Sequence, residues 1–255
     1  MSNIMMSTIA GDKQFNRSEV ANMALAQPMG ARHNPISFID RIEYISASLD
    51  KFGFRIVAES FVVTKNGQQI FGLMQLESVV DGYSTILAFN GSLNQTLSFH
   101  IAFGGGTWIC SNLEIYGEFQ VRTKQTTFIR DRLPLAIDNV IRLLPEKMIE
   151  RQETITAYKT VQLTGRQGDA AITEMVRREI ILPSNVGTVI NEWDKPTYEE
   201  HTQWNVGNNR SIYQLQQAVT QAQKPSNGRS VIGAAMERTP AMDKYLQYIV
   251  GRLAV

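Results

Sequence analysis

The alternation in residues 97–103 narrows the fold more than any other feature of the chain. Leu97, Phe99, Ile101 and Phe103 are separated by Ser98, His100 and Ala102. A period of two with one apolar face belongs to a half-buried strand. Phe119, Val121 and Thr123 repeat the pattern, with Gln120, Arg122 and Lys124 facing the other way. Gly104-Gly105-Gly106 lies between these runs and reads as a turn, where glycine tolerates backbone angles that other residues resist. The stretch from Thr85 to Lys124 therefore predicts part of an antiparallel meander with its apolar weight on one side.

The flanking sequence extends this picture in both directions. Ser37 is placed to cap a helix whose buried stripe is Ile39, Ile42, Ile45, Leu49 and Phe52, with Gly53 as its stop. Phe54–Thr64 and Gln69–Glu77 read as strands joined at Asn66-Gly67, the strongest hairpin signal in the chain. Asp81-Gly82 turns again into a strand from Tyr83 to Phe89. From Arg130 the period becomes helical, through Leu133, Ile137, Val140, Ile141, Leu144 and Met148, with a kink or break demanded by Pro145. Further helices are expected over 149–164, 170–181, 211–223 and about 239–253, with a turn-rich stretch at 193–209 and a loop at 224–229. The expected class is α+β: an antiparallel meander sheet preceded by one helix and followed by several helices. Residues 1–34 read as an N-terminal arm or capping segment. Residues 35–255 read as a single α+β domain, with the sheet over 54–124 and the helical part over 130–255.

Composition excludes several classes. An apolar fraction of 43% and a charged fraction of 19% are globular values. No run approaches the roughly 20 apolar residues of a membrane span. One cysteine, Cys110, forbids an internal disulfide, and the first residues lack a secretory pattern, so a cytoplasmic protein is expected. The net charge of +1 hides a segregation. Residues 61–121 hold one Lys/Arg against four acids, whereas residues 122–178 hold eleven against seven. Such a region is either an anion-binding stripe or a solvated helix face of mixed charge.

The residues that carry chemistry are sparse. Three histidines and one cysteine, widely spaced, make no metal signature, and neither a metal nor a cofactor is expected. His100 and Cys110 share the sheet block, but no third group orients them, and surface and core roles are simpler. The triple glycine lacks the Lys-Ser/Thr pair and following helix of a phosphate loop. An enzyme is therefore not expected. Single-strand nucleic-acid binders combine a basic groove with aromatic platforms. The candidates here are Arg122, Lys124, Arg130, Arg132, Arg142 and Lys147, with Trp108 as a stacking platform and Tyr116 and Phe119 nearby. Core packing is the competing role for these aromatics.

Asn90-Gly91-Ser92, the alternating strand, the glycine run and Trp108-Ile109-Cys110-Ser111-Asn112-Leu113 together resemble the phage/plasmid-like family of mobile-element proteins. A helix carrying Ala218-Val219-Thr220 extends the likeness, which spans roughly residues 36–250. The order of helix, meander and long basic helix is in turn similar to phage single-strand annealing and single-stranded-DNA-binding proteins. The resemblance implies a phage-encoded, non-enzymatic protein of the host cytoplasm. It would bind single-stranded DNA in replication, recombination or early transcription, as a homo-oligomer. A phage polymerase or replication protein is a further candidate partner. The alternative is an effector that binds a host or phage protein.

Overall fold

A computed structural model describes residues 13–25, 27–64, 66–77, 83–107, 113–116, 125–223 and 231–253. The chain is α+β. Strand β1 (Lys13–Phe15) precedes helices α1 (Arg17–Ala21) and α2 (Phe38–Lys51). Strands β2 (Ile56–Val63), β3 (Gln69–Leu76), β4 (Tyr83–Ser92), β5 (His100–Thr107) and β6 (Leu113–Tyr116) follow. Every neighbouring pair is antiparallel, and the sheet order equals the chain order, the meander expected from the turn signals. Then come α3 (Ile129–Ile141), α4 (Leu144–Thr160), a short ribbon strand β7 (Gln162–Leu163) and α5 (Gly165–Arg177). Helix α6 (Val186–Asp194) is followed by β8 (Arg210–Ser211), which pairs with β7, then α7 (Ile212–Ala222) and α8 (Val231–Leu253).

Local chemistry explains the main boundaries. The Ser37 hydroxyl accepts from the Asp40 N–H at 3.0 Å and opens α2. Gly53, at φ 79°, ends the turn after it. Gly67, at φ 68°, completes the hairpin between β2 and β3, whose register runs from Ile56↔Leu76 to Val63↔Ile70. The Asp81-Gly82 turn lies outside the described residues, but β3 and β4 on either side pair as a hairpin would. Pro145 has no N–H for the carbonyl of Ile141, and the helical run breaks at Arg142 and Leu143 into α3 and α4.

Part of the segment read from sequence as an arm or cap is built into the sheet. Lys13 to Phe15 pair with Val63 to Phe61. Asn16 and Glu19 form a capping box that starts α1. Arg17 then reaches Glu59 at 2.6 Å and Glu43 at 3.1 Å, tying α1 to β2 and α2.

Two expectations are corrected. Gly104, Gly105 and Gly106 are not a turn. They lie inside β5, opposite Ile86, Thr85 and Ser84 of β4 and opposite Ile115, Glu114 and Leu113 of β6. Ladder bonds on both sides outweigh the roughly 0.5–1 kcal/mol that each glycine costs in a strand. The sheet is also not apolar on one side alone. Val62, Leu73, Ile86, Ala88 and Ala102 are buried along with the residues of the main core face. Continuous burial over 85–93 marks β4 as a central strand covered on both faces. The helices differ in extent: α6 occupies part of the expected turn-rich stretch, and α8 begins well before residue 239. The expected strand over 119–124 lies outside the described residues.

Apolar residues gather in two cores. The first joins α2 (Ile42, Ile45, Leu49), the sheet (Phe61, Ile70, Met74, Phe89, Phe103) and α3 (Leu133, Ile137, Ile141). Each such fully buried side chain contributes about 1.5–3 kcal/mol. The second joins Ile155 and Tyr158 of α4 with Met175, Trp193, Leu215, Val219, Met242 and Leu246. Helix α7 lies inside it and is buried all round over 212–220.

One buried cation holds the first core to its surroundings. Arg41 of α2 is 1% exposed, and its Nη2 donates to the carbonyls of Ser92 (2.9 Å) and Ile36 (3.1 Å). Its guanidinium lies 5.5 Å from the Phe99 ring and 5.7 Å from Phe38. Burial pushes its pKa down to about 10, so it remains charged at neutral pH. Gln125 completes the joint, donating to Ser92 O at 2.5 Å and accepting from the Ile36 N–H at 3.1 Å. A Cβ on Gly91 would stand 2.4 Å from Arg41 Nη1. Gly91→Ala should therefore destabilise the protein by about 1–3 kcal/mol in a denaturant titration.

A second clamp depends on pH. Asp138 of α3 accepts from Lys51 Nζ at 2.5 Å and from the Ser48 hydroxyl at 2.6 Å, both on α2. These bonds hold its carboxyl below the usual carboxylate range, the Lys51 bond first and Ser48 second. A carboxyl with a depressed folded-state pKa adds stability above its unfolded value, and that stability is lost as pH falls through the folded value. Asp138→Asn should cost about 1 kcal/mol at neutral pH, the exposed Lys51 counting for little. The difference from wild type should vanish as pH falls below the usual carboxylate range, which thermal melts across pH will read.

Candidate nucleic-acid interface

Trp108, Arg122 and Lys124, the centre of the expected stripe, lie outside the described residues, as do Cys110 and Phe119. Four of the expected cations are described, and the structure divides them. Arg130 is tied down: its Nη1 is 3.5 Å from Asp40 and its Nη2 donates to Pro35 O at 3.4 Å. Lys147 donates to Glu150 at 2.7 Å. Arg132 and Arg142 are exposed and form no ion pair among the described residues. Arg132 lies over the Phe128 ring at 5.6 Å, and that ring is 59% exposed. Among the described residues the stripe is thus two cations without an ion pair, Arg132 on α3 and Arg142 just past its end, interrupted by carboxylates and beside the exposed ring of Phe128.

A more ordered array of cations and rings lies on α5 and α8. Helix α5 opens with a capping box, Thr164 accepting from the Gln167 N–H and Gln167 accepting from the Thr164 N–H. It buries Ala171, Ile172 and Met175, and brings Arg177 and Arg178 to its carboxyl end, where cations complement the helix dipole. Helix α8 is fixed from inside. Met242 and Leu246 are fully buried in the second core, and Asp243 pairs with Arg151 of α4 at 2.6 Å. Tyr158 and Gln247 each donate to the same carboxylate at 2.8 Å. With that face turned inward, Tyr245, Tyr248 and Arg252, spaced by three and four residues, fall on one side of the helix.

There they make a ladder. The Arg178 guanidinium lies 5.0 Å from the Tyr245 ring. The Tyr245 and Tyr248 rings stack with centroids 6.3 Å apart and planes 24° apart. The Arg252 guanidinium lies 5.8 Å from Tyr248 and donates to its hydroxyl at 3.1 Å. Burial, and then the charge of Glu174, raise the Tyr245 pKa, which keeps the phenol neutral. Glu174 also offsets part of the positive charge, at 2.8 Å from Arg178 and 3.7 Å from Arg177. Lys244 and Arg252 have no carboxylate partner among the described residues, and Tyr248 is 54% exposed. Chemically this surface offers a half-exposed phenol ring, Tyr248, stacked on Tyr245 and flanked by the Arg252 guanidinium.

Tyr245 is 9% exposed and belongs to the second core, so the exposed ring of the ladder is that of Tyr248. The Tyr-x-x-Tyr-x-x-x-Arg spacing was available as a signal for one helix face. The contribution of Arg178, from a helix distant in sequence, was not.

Nothing in the described residues assembles a reaction centre of the metal type: no three His, Cys, Asp or Glu side chains come together there. No helix of the described residues is long and apolar enough to cross a membrane. No protein-family model, curated protein or solved structure matches the chain.

The ladder depends on the Arg151–Asp243 pair, because that pair sets the rotation of α8. Removing the Asp243 carboxylate withdraws the acceptor shared by Arg151, Tyr158 and Gln247. Asp243→Ala should destabilise the protein by about 3 kcal/mol in chemical denaturation. Tyr248→Ala, on the exposed side, should change stability by less than about 0.5 kcal/mol.

Proposed function

We propose that the protein is a non-enzymatic single-stranded-DNA-binding protein, phage-encoded as the family resemblance implies. It would serve replication, recombination or early transcription. The observation that supports this reading best is the Arg178–Tyr245–Tyr248–Arg252 ladder. A nucleobase stacks against the exposed part of the Tyr248 ring, and the guanidinium groups beside it meet the phosphates on either side. Stacking is tolerant of base identity, so the expected ligand is a strand rather than a particular sequence. The expected contacts Arg122, Lys124 and Trp108 would extend the same chemistry to a second stretch of chain.

Fluorescence anisotropy with labelled oligothymidine, repeated across salt concentrations, separates the two kinds of contact. Arg252→Ala should weaken binding and flatten the slope of log affinity against log salt by about 0.7, the value for one phosphate neutralised on a single strand. Arg122→Ala with Lys124→Ala should flatten it by roughly 1.4. Tyr248→Ala should weaken binding by about 1–3 kcal/mol and leave the slope unchanged, since stacking releases no counterion. Absence of binding at low salt would sink the proposal and turn the search towards a protein partner.

A further inference from the structure

We infer that the exposed face of α3 is a self-association surface, on which a second copy of this chain packs its own α3 antiparallel about a two-fold axis. The inference is independent of the nucleic-acid reading, which rests on α5 and α8.

The face carries exposed apolar side chains that no other described element covers. Phe128 is 59% exposed, Leu135 is 64% exposed and Leu143 is 40% exposed. Phe128 and Leu135 are seven residues apart, two helical turns, and stand one above the other. Asp131, Arg132, Asn139 and Arg142 complete an exposed arc of roughly 100°. The opposite side of the same helix buries Ile129, Leu133, Ile137 and Ile141 against the sheet, so its rotation is fixed.

What selects the occupant is charge. Asp131 and Arg142 lie near opposite ends of the face, and neither has an ion-pair partner among the described residues. Asp138, one turn before Arg142, is already held by Lys51 and Ser48. In an antiparallel pair, residues equidistant from the two-fold axis meet. An axis between Ala136 and Ile137 sets Asp131 of each copy opposite Arg142 of the other. Phe128 and Leu143 then approach with an axial offset of about 3 Å, and the two Leu135 side chains flank the axis about 4.5 Å apart along it. Side chains of this length span both offsets, so ion pairs at the ends and aliphatic contact between them fit that arrangement. A nucleic acid would use Arg142 but would leave Leu135 and Asp131 facing phosphate, an apolar group and a like charge.

Sedimentation velocity over a concentration series, with the full chain, tests this. The wild type should shift with concentration from the 28.7 kDa chain to twice that mass. Leu135→Glu should abolish the shift, with an unchanged circular-dichroism spectrum showing the fold retained. Asp131→Arg and Arg142→Asp should each weaken association at least tenfold, by setting like charges opposite each other. The two changes combined restore the pairs in swapped form and should recover most of the affinity. That recovery requires direct contact between the two positions on different copies, and loss of folding cannot mimic it. A protein monomeric at every concentration would overturn the inference. So would association indifferent to Leu135→Glu, or a double variant no better than the single ones. If Leu135→Glu instead lowered oligonucleotide affinity in a protein that stayed monomeric, the face would belong to the nucleic acid.

Discussion

The first core hangs on a charge kept out of water. Arg41 gives up nearly all its hydration, and in exchange it holds two backbone carbonyls between two aromatic rings. The carbonyl of Ser92 belongs to the end of β4, that of Ile36 to the approach to α2, and Gln125 brings in the approach to α3. Three parts of the chain distant in sequence are thereby fixed at one point. Burying a guanidinium without a carboxylate costs several kcal/mol unless its hydrogen bonds are well made. Here Nη1 finds no partner among the described residues. The joint is therefore held by the packing of Phe38 and Phe99 as much as by the charge.

That joint explains why a short motif, Asn90-Gly91-Ser92, has its composition. Gly91 makes room for Arg41 Nη1. Ser92 supplies the carbonyl that the cation and Gln125 share, and its hydroxyl and Leu97 close the following turn through bonds of 3.0 and 2.9 Å. Gly72 plays a comparable part in the next strand, where a Cβ would collide with the ring of Phe89. These residues are dictated by neighbours across the sheet.

The meander was legible because its signals are local. Asn66-Gly67 demands a particular backbone, and period two in β5 needs only adjacent residues. The glycine run misled because composition alone cannot distinguish a turn from a central strand that neighbours hold on both sides. Of the later helices, α7 falls within one residue of the expected 211–223 at each end, whereas α5 and α8 begin well before the expected residues 170 and 239. For the candidate surface, sequence alone offered a basic stretch but not which cations are already paired. Arg130 and Lys147 lose their freedom to Asp40 and Glu150, while Arg178 finds its place beside Tyr245 only through the packing of α5 and α8.

The break at Arg142 and Leu143 also has a bearing on how the molecule comes apart. It stands where the chain passes from one apolar cluster to the other, with Ile141 and Leu144 still in the first and Ile155 already in the second. Each cluster has its own complement of buried side chains, but α8 also lies along β6, so separate opening of the two requires that contact to part first. Slow exchange in β4 and slow exchange in α7 would then report two cooperative units. Trp193, fully buried in the second, is a native optical marker for that unit. A denaturant that melts the helical unit first would release it while the sheet stays closed.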